Sequence, residues 1–341
     1  MAGTVLVTGG SGYIAGETIR QLLARGWTVH TTVRSLAREA ELRPILDGTP
    51  DRLKFFAADL TKDEGWAEAA AGCDAVCHMA SPFPPDVPKD ENELIIPARD
   101  GALRALKAAN GAGIKRFVLT SSAAAIAYGH PPGKTEYDEN DWTNVDAPGV
   151  QPYIKSKTIA ERAARDWVAA NAPDMEFCTV NPVAVLGPVD SNDYAASVAT
   201  FEQLLSGKVP ACPDVGFCMV DTRDVAQLHV LALEAPADTI RGERFIGSSG
   251  PFFKIIDVAR VLLERMGADA RKVPTRVMPN WLVRVMARFM PPLRQLLGEL
   301  GRTRSMSSAH AQQVLGWKPR PPEETAVDCA RSLIDRGIVK V

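Results

Sequence analysis

The sequence predicts a doubly wound α/β fold, a parallel sheet covered by helices on both faces, with a smaller mixed lobe toward the C-terminal end. Short apolar runs alternate with helix-patterned stretches from Thr4 to Val180, and a glycine-rich turn separates the first run from the first helical pattern. The chain has 341 residues, 46% of them hydrophobic, enough to bury a large core. A parallel neighbour can be reached only through a crossover, and such crossovers are right-handed, so the alternation puts helices on both faces.

In order, Thr4–Val7 reads as a strand ending in Thr8-Gly9-Gly10-Ser11-Gly12. Ile14, Ile19, Leu22 and Leu23 then recur at helical spacing up to the stop at Arg25-Gly26. Further strands are expected at 28–33, 53–57, 75–79 and 117–120, with helical patterns between them, the clearest at 103–109. Residues 129–150, rich in Gly, Pro, Asp, Glu and Asn, read as a surface loop. A helix from 153 to about 171 leads to a buried strand at 177–180. After Pro182 the pattern loosens: 197–205, 225–233 and 255–266 are helical, and 217–220 is extended. This divides the chain into a nucleotide-binding domain, 1–182 with returns near 215–233 and 243–247, and a substrate lobe, mainly 183–341.

The formal charge of −2 gives no footprint for nucleic acid, which a strongly basic domain would show. Six scattered cysteines lack the paired spacing of a zinc site and read as reduced thiols, Cys73 and Cys77 flanking a strand. No leader is visible, and no stretch reaches the roughly 18 apolar residues of a membrane span, so a cytoplasmic monomer or homodimer is expected.

In a strand-turn-helix unit, glycines let the backbone approach a pyrophosphate, whose charge is stabilised at the helix N-terminus. Gly9, Gly12 and Gly16 are expected to fill that turn. Alone the motif is weak; its position after the first strand and before a helix gives it weight. Where an NAD site usually carries Asp or Glu at the end of the second strand, this chain reads Thr31-Thr32-Val33-Arg34. Arg34, helped by Arg38, can pair with the 2′-phosphate of NADP through forked hydrogen bonds; the bland alternative is a solvated surface arginine. Asp59, after the third strand, is placed either to meet the adenine or to cap a turn.

Tyr153 and Lys157 stand four residues apart on one helix face, with Pro152 near the helix start. A carbonyl that accepts hydride needs a proton donor, and tyrosine, with an ordinary pKa of about 10, gives up its proton reluctantly. A neighbouring ammonium is expected to lower that pKa, and Lys157 is expected to hold the nicotinamide ribose as well. Ser122, at the carboxyl end of the fifth strand in Thr120-Ser121-Ser122-Ala123, can stabilise the developing charge on the carbonyl oxygen.

Together these residues resemble the extended short-chain dehydrogenase/reductase family, on the branch of dihydroflavonol reductases, cinnamoyl-CoA reductases and microbial aldehyde reductases. The carriers are Thr8-Gly9-Gly10-Ser11-Gly12-Tyr13-Ile14-Ala15, Thr31 to Arg34, Asp59-Leu60, Thr120 to Ala123, Tyr153 to Lys157 and Asn181-Pro182, spread over nearly the whole length. The resemblance implies a Rossmann-type domain and catalytic Ser122, Tyr153 and Lys157. It also implies NADP(H) contacts at Thr8, Gly9, Ser11, Gly12, Tyr13, Ile14, Arg34, Asp59, Leu60, Met79, Ala80, Ser81, Thr120, Tyr153, Lys157, Pro182 and Val183. The family's third glycine is Ala15 here, which still permits close helix packing. Plant flavonoid reductases carry Asn five residues after the serine, where this chain has Ala127, so a flavonoid substrate is not expected.

The expected reaction is the NADPH-dependent reduction of an aryl or aliphatic aldehyde or ketone. Substrate contacts are expected around 81–83, 123–128, 183–186 and in the lobe after 190. A sugar-nucleotide epimerase or dehydratase with retained NAD, and a non-catalytic NADP sensor, are the alternatives. His78 is read as structural rather than a proton relay, and the acidic loop Glu136, Asp138, Glu139, Asp141 as a solvated turn with no metal. Between Arg271 and Arg304 eight Lys or Arg face the single acid Glu299, with Trp281, Leu282, Val285, Met286, Phe289 and Met290 at helical spacing. The expectation is a lobe helix packing its apolar stripe over the cleft; a membrane surface or an anionic, CoA-linked substrate is the alternative.

Overall fold

The computed structural model describes residues 3–82, 88, 90–190, 194–294 and 296–340. Seven strands form the central sheet: β1 (Thr4–Val7), β2 (Thr28–Val33), β3 (Leu53–Ala57), β4 (Ala75–His78), β5 (Arg116–Thr120), β6 (Glu176–Pro182) and β7 (Arg244–Gly247). All pair in parallel, in the order β7-β6-β5-β4-β1-β2-β3. The chain builds outward from β1 to β3, then starts again on the other side at β4. Ligands in open α/β sheets bind at the strands' carboxyl ends beside such a reversal.

The helices of the nucleotide half are α1 (Tyr13–Ala24), α2 (Glu39–Ile45), α3 (Trp66–Ala70), α4 (Asn92–Gly111) and α5 (Pro152–Asn171). Strand side chains alternate between two faces, and both are covered. Val5 and Val7 join the layer of Ile19 and Leu22 from α1, whereas Leu6 and Phe117 join Ala102, Ala105 and Ala109 of α4 and Ala164 of α5. Small residues along α4 and α5 allow these helices to lie close to the sheet and to each other.

The later chain contributes α6 (Ala196–Leu205), α7 (Thr222–Glu234), α8 (Ile255–Met266), α9 (Asn280–Met286), α10 (Pro291–Arg294) and α11 (Pro322–Asp335). α7 returns to the sheet, where Val225 and Leu228 pack in the α1 layer, and β7 extends the edge beside β6. A second core joins Phe201 of α6, Leu262 of α8 and Leu333 of α11. The stretch expected to be extended at 217–220 is two short strands, Gly216–Phe217 against Phe253–Lys254 and Met219–Asp221 against Ala184–Leu186. The 129–150 loop holds Glu136–Tyr137, paired with the distant Ser305–Met306.

Two expectations need correction. Gly16 lies inside α1, whose N-cap is Gly12, so it is not part of the turn. The apolar stripe of 281–290 does not pack over the cleft. α9 buries Val283, but Trp281 and Phe289 are 66% and 80% exposed, and Val285 and Met290 are exposed as well. The helix ends at Met286, before Pro291 and Pro292.

All six cysteines are free and buried. Among the described residues no helix is long and apolar enough to cross a membrane.

Candidate active site

At the carboxyl ends of β1, β4, β5 and β6 lies a cleft of about 560 Å³. Its nucleotide end is shaped by backbone. Gly9 has φ 73°, and a Cβ there would stand 3.0 Å from Ala80 Cα. At Gly10 a Cβ would run into the Thr31 hydroxyl. β2 fixes the turn, because the Gly9 and Gly10 amides donate to Thr32 Oγ1 and Thr32 O, each at 3.0 Å. Gly12 then opens α1 with no side-chain cap and no acid in the first turn, which suits a diphosphate. Gly9, Gly12, Tyr13, Ile14, Met79, Thr120, Pro182 and Val183 line the cleft, and a Cβ on Gly12 would press on Gly9 O at 3.2 Å, so the turn closes this tightly only with glycine there. These residues fit a dinucleotide.

Other expected contacts occupy different positions. Thr8 is fully buried, and its Oγ1 accepts from the Met79 and Ala80 amides, both at 2.9 Å, and bonds His78 Nδ1 at 3.0 Å. It fixes the β4 end rather than facing the cleft. Burial pushes His78 down to about 3, so the imidazole stays neutral. Ser11 borders a separate small recess with Arg38 and Glu41. Arg34 is exposed beyond β2. Asp59 accepts from the Thr61 hydroxyl and amide, bonds that hold its carboxyl below the usual range, with Arg34 adding to the effect. Leu60 turns toward α4, where only a glycine at 101 leaves it room. Ser81 Oγ accepts from Lys157 Nζ at 2.8 Å. Thr120 Oγ1 bonds His229 Nε2 at 2.7 Å.

Ser122, Tyr153 and Lys157 come together. Pro152 at the first position of α5 aims Tyr153 and Lys157 from adjacent turns, and the Lys157 ammonium lies 5.7 Å from the Tyr153 ring centre. The Ser122 and Tyr153 hydroxyls are hydrogen-bonded, and Ser122 Oγ also accepts from the Ala124 amide at 3.1 Å. Burial raises the Tyr153 pKa, and the Ser122 hydrogen bond opposes it only in part. The expected lowering by Lys157 is therefore not what governs the tyrosine here. Lys157 is itself pushed down to about 8 by burial.

The opposite end of the cleft is lined by Ala123, Tyr128, Val185, Tyr194, Phe217, Phe252 and Met306, with one ion pair, Arg304 to Glu299. Arg304 stacks over Tyr128 at 4.5 Å and donates through Nε to Ala127 O at 3.1 Å. Of the expected substrate residues, Ala125, Ile126, Ala127 and Leu186 are buried behind this wall instead of lining it. Phe83 lies outside the described residues.

A family model described as "NAD dependent epimerase/dehydratase family" matches residues 5–246. The chain belongs to that family. Among its epimerase/dehydratase-family relatives, a cinnamoyl-CoA reductase of Medicago truncatula is 39% identical over 69% of this chain and 73% of its own. An uncharacterised oxidoreductase of Schizosaccharomyces pombe is 34% identical over 98% of this chain and 97% of its own. Among solved structures, a yeast methylglyoxal/isovaleraldehyde reductase in complex with NADPH superposes with a TM-score of 0.82 at 25% identity, covering 98% of this chain and all of that one. The chain is thus an extended short-chain dehydrogenase/reductase similar to the reductase branch.

In this family member a buried network that no sequence motif signals ties Ser122 to the helix that carries Tyr153 and Lys157. Glu161 lies two turns beyond Tyr153 on the same face of α5 and is fully buried. It accepts from Ser121 Oγ at 2.5 Å, Asn181 Nδ2 at 2.8 Å and Arg244 Nε at 2.8 Å. Asn181 Nδ2 also donates to Ser122 O at 3.2 Å, so the serine's backbone is tied to the helix that carries Tyr153. Arg244 Nη1 donates in turn to Glu139 O and Asp141 O, and Lys134 pairs with Asp141. Much of the acidic loop is thereby occupied structurally. His229 was missed as well: its Nδ1 donates to Val225 O at 2.8 Å, and burial pushes it down to about 4, leaving Nε2 to accept from Thr120. Nothing in the sequence signals that pairing.

Proposed function

We propose that this NADP-dependent oxidoreductase reduces an apolar aryl or aliphatic aldehyde or ketone to its alcohol. The hydrogen-bonded Ser122–Tyr153 pair at the base of a mostly apolar cleft, with Lys157 beside it, carries the proposal. Bound NADPH supplies hydride to the carbonyl carbon. Tyr153 holds its proton because burial keeps its pKa high, and it delivers that proton to the oxygen as negative charge develops there. Ser122 donates to the same oxygen, its position set by the Ala124 amide and the Asn181 bridge. Lys157, held by Ser81, places positive charge where a tyrosinate forms. The glycine turn would hold the diphosphate, and Arg34 the 2′-phosphate. Residues 1–182, with the β7 and α7 returns, would serve the cofactor, and the remainder the substrate.

A panel of aromatic aldehydes, ketones and β-ketoesters, followed by loss of NADPH with NADH as control, tests the reading. Turnover of apolar members with NADPH is expected. Equal rates with NADH would remove the role given to Arg34, and no turnover of any carbonyl would overturn the reaction.

A further inference from the structure

Residues 280–301 begin and end at one point of the lobe, with Val283 and Ala287 buried and Leu296 and Leu300 packed against the second core. Asn280 Nδ2 donates to Asp214 Oδ2 at 3.4 Å, and the Gly301 amide donates to Asp214 O at 2.7 Å. Lys254 Nζ holds the same carboxylate at 2.7 Å. Between these anchors the chain exposes Trp281, Val285, Phe289, Met290 and Leu297. Arg284, Arg288 and Arg294 are interspersed and exposed, and no ion pair is formed by any of them among the described residues. Arg294 instead donates to Ala287 O and Arg288 O, which fastens the projection to itself.

We propose that this projection docks the enzyme on an anionic lipid surface. Trp281, Val285 and Phe289, spaced four residues apart along α9 and its exit, with Met290 beside them in sequence, expose apolar area that water disfavours, and monomers rarely leave large areas of this kind without a partner. Aromatic and aliphatic side chains among arginines match an interfacial segment, which sinks its apolar groups to the acyl boundary while its cations meet lipid phosphates. Charge selects this occupant. A two-fold contact between copies would bring the three arginines against their own equivalents, whereas anionic headgroups neutralise them. The projection ends at Gly301, just before Arg304 at the cleft, so docking would bring the site beside a phase in which apolar carbonyls concentrate.

The test is co-sedimentation of the full chain with phosphatidylcholine vesicles, with and without phosphatidylserine. Binding is expected only with phosphatidylserine and should weaken as salt rises. R284E/R288E should lower it by roughly tenfold or more, and W281S/F289S should do the same, with thermal unfolding midpoints unchanged because all four side chains are exposed. No binding to phosphatidylserine vesicles would overturn the proposal, as would binding that neither variant alters. Sedimentation of the protein alone supplies a further outcome. Self-association abolished by W281S/F289S, without vesicle binding, would assign the patch to a second copy and overturn the lipid reading.

Discussion

The two ends of the cleft are built in different ways. At the cofactor end the walls are mostly short-range: Gly9 to Gly12 form the turn that opens α1 at Tyr13, met by Met79 and Ala80 just beyond the neighbouring strand β4. At the substrate end the walls are side chains from distant segments, with Tyr128, Val185, Phe217, Phe252, Arg304 and Met306 converging from five parts of the chain. A surface made by backbone geometry accepts few substitutions and leaves a motif. A surface made by side chains on separate elements can change residue by residue, so one scaffold can serve many carbonyls.

The sharpest way to break the comparison is at the junction of the two ends. Tyr153→Phe should lower turnover by about 10²–10⁴-fold while NADPH still binds, as measured by steady-state kinetics and cofactor fluorescence titration. A loss of both would mean that the tyrosine shapes the cofactor end as well. The next effect concerns the support beneath the site. Arg244→Met leaves Glu161 charged and buried with fewer partners, so stability should fall by about 3–5 kcal/mol, read as a shift in the denaturant midpoint. Little change would show that Arg165, 3.2 Å from the same carboxylate, suffices.

Smaller effects separate the ends further. Arg34→Ala should raise the KM for NADPH by roughly tenfold to hundredfold, the value of a charge-assisted hydrogen bond, and leave that for NADH nearly unaltered. An equal change for both cofactors would place Arg34 outside phosphate recognition. The smallest effect is the pH response of Lys157. With a folded value of about 8 against about 10.4 in an unfolded chain, the unfolded state binds more protons between those limits. Stability contributed by this group therefore rises with pH across that window. Reduction should decline over the same rise as the ammonium is lost. Lys157→Met should flatten the stability slope; an unchanged slope would show that another group sets it.

The sheet was legible because strand and helix periods alternate cleanly up to Val180, and Tyr153 and Lys157 because both sit on one helix face. Other features were hidden for identifiable reasons. Thr8 belongs to the fingerprint, yet its hydroxyl is used to fix His78 and the β4 end; a motif reports conserved geometry without saying which atoms face the ligand. Glu161 reads as an ordinary polar residue at a helical position, and only the sheet brings Asn181 and Arg244 to it. The apolar stripe at 281–290 has the period of a packed helix, and period alone does not tell a face covered by its own protein from one left open. Arg304 and Glu299 looked like part of a solvated basic run, and proximity to Tyr128 moves them into the cleft.

The Asp214 clamp has one more consequence. Because the chain leaves and re-enters at the same residue, the stretch between Asn280 and Gly301 is inserted in the manner of a handle on a vessel. Its outer turn around Phe289 and Met290 can vary in length and composition without shifting any strand of the sheet, since closing a somewhat longer or shorter loop across fixed ends changes the free energy little, whereas Leu296 and Leu300 are held against the second core and Glu299 in the cleft. An engineer can therefore exchange that outer turn between the same two anchor points while leaving Glu299 and its partner Arg304 in the cleft.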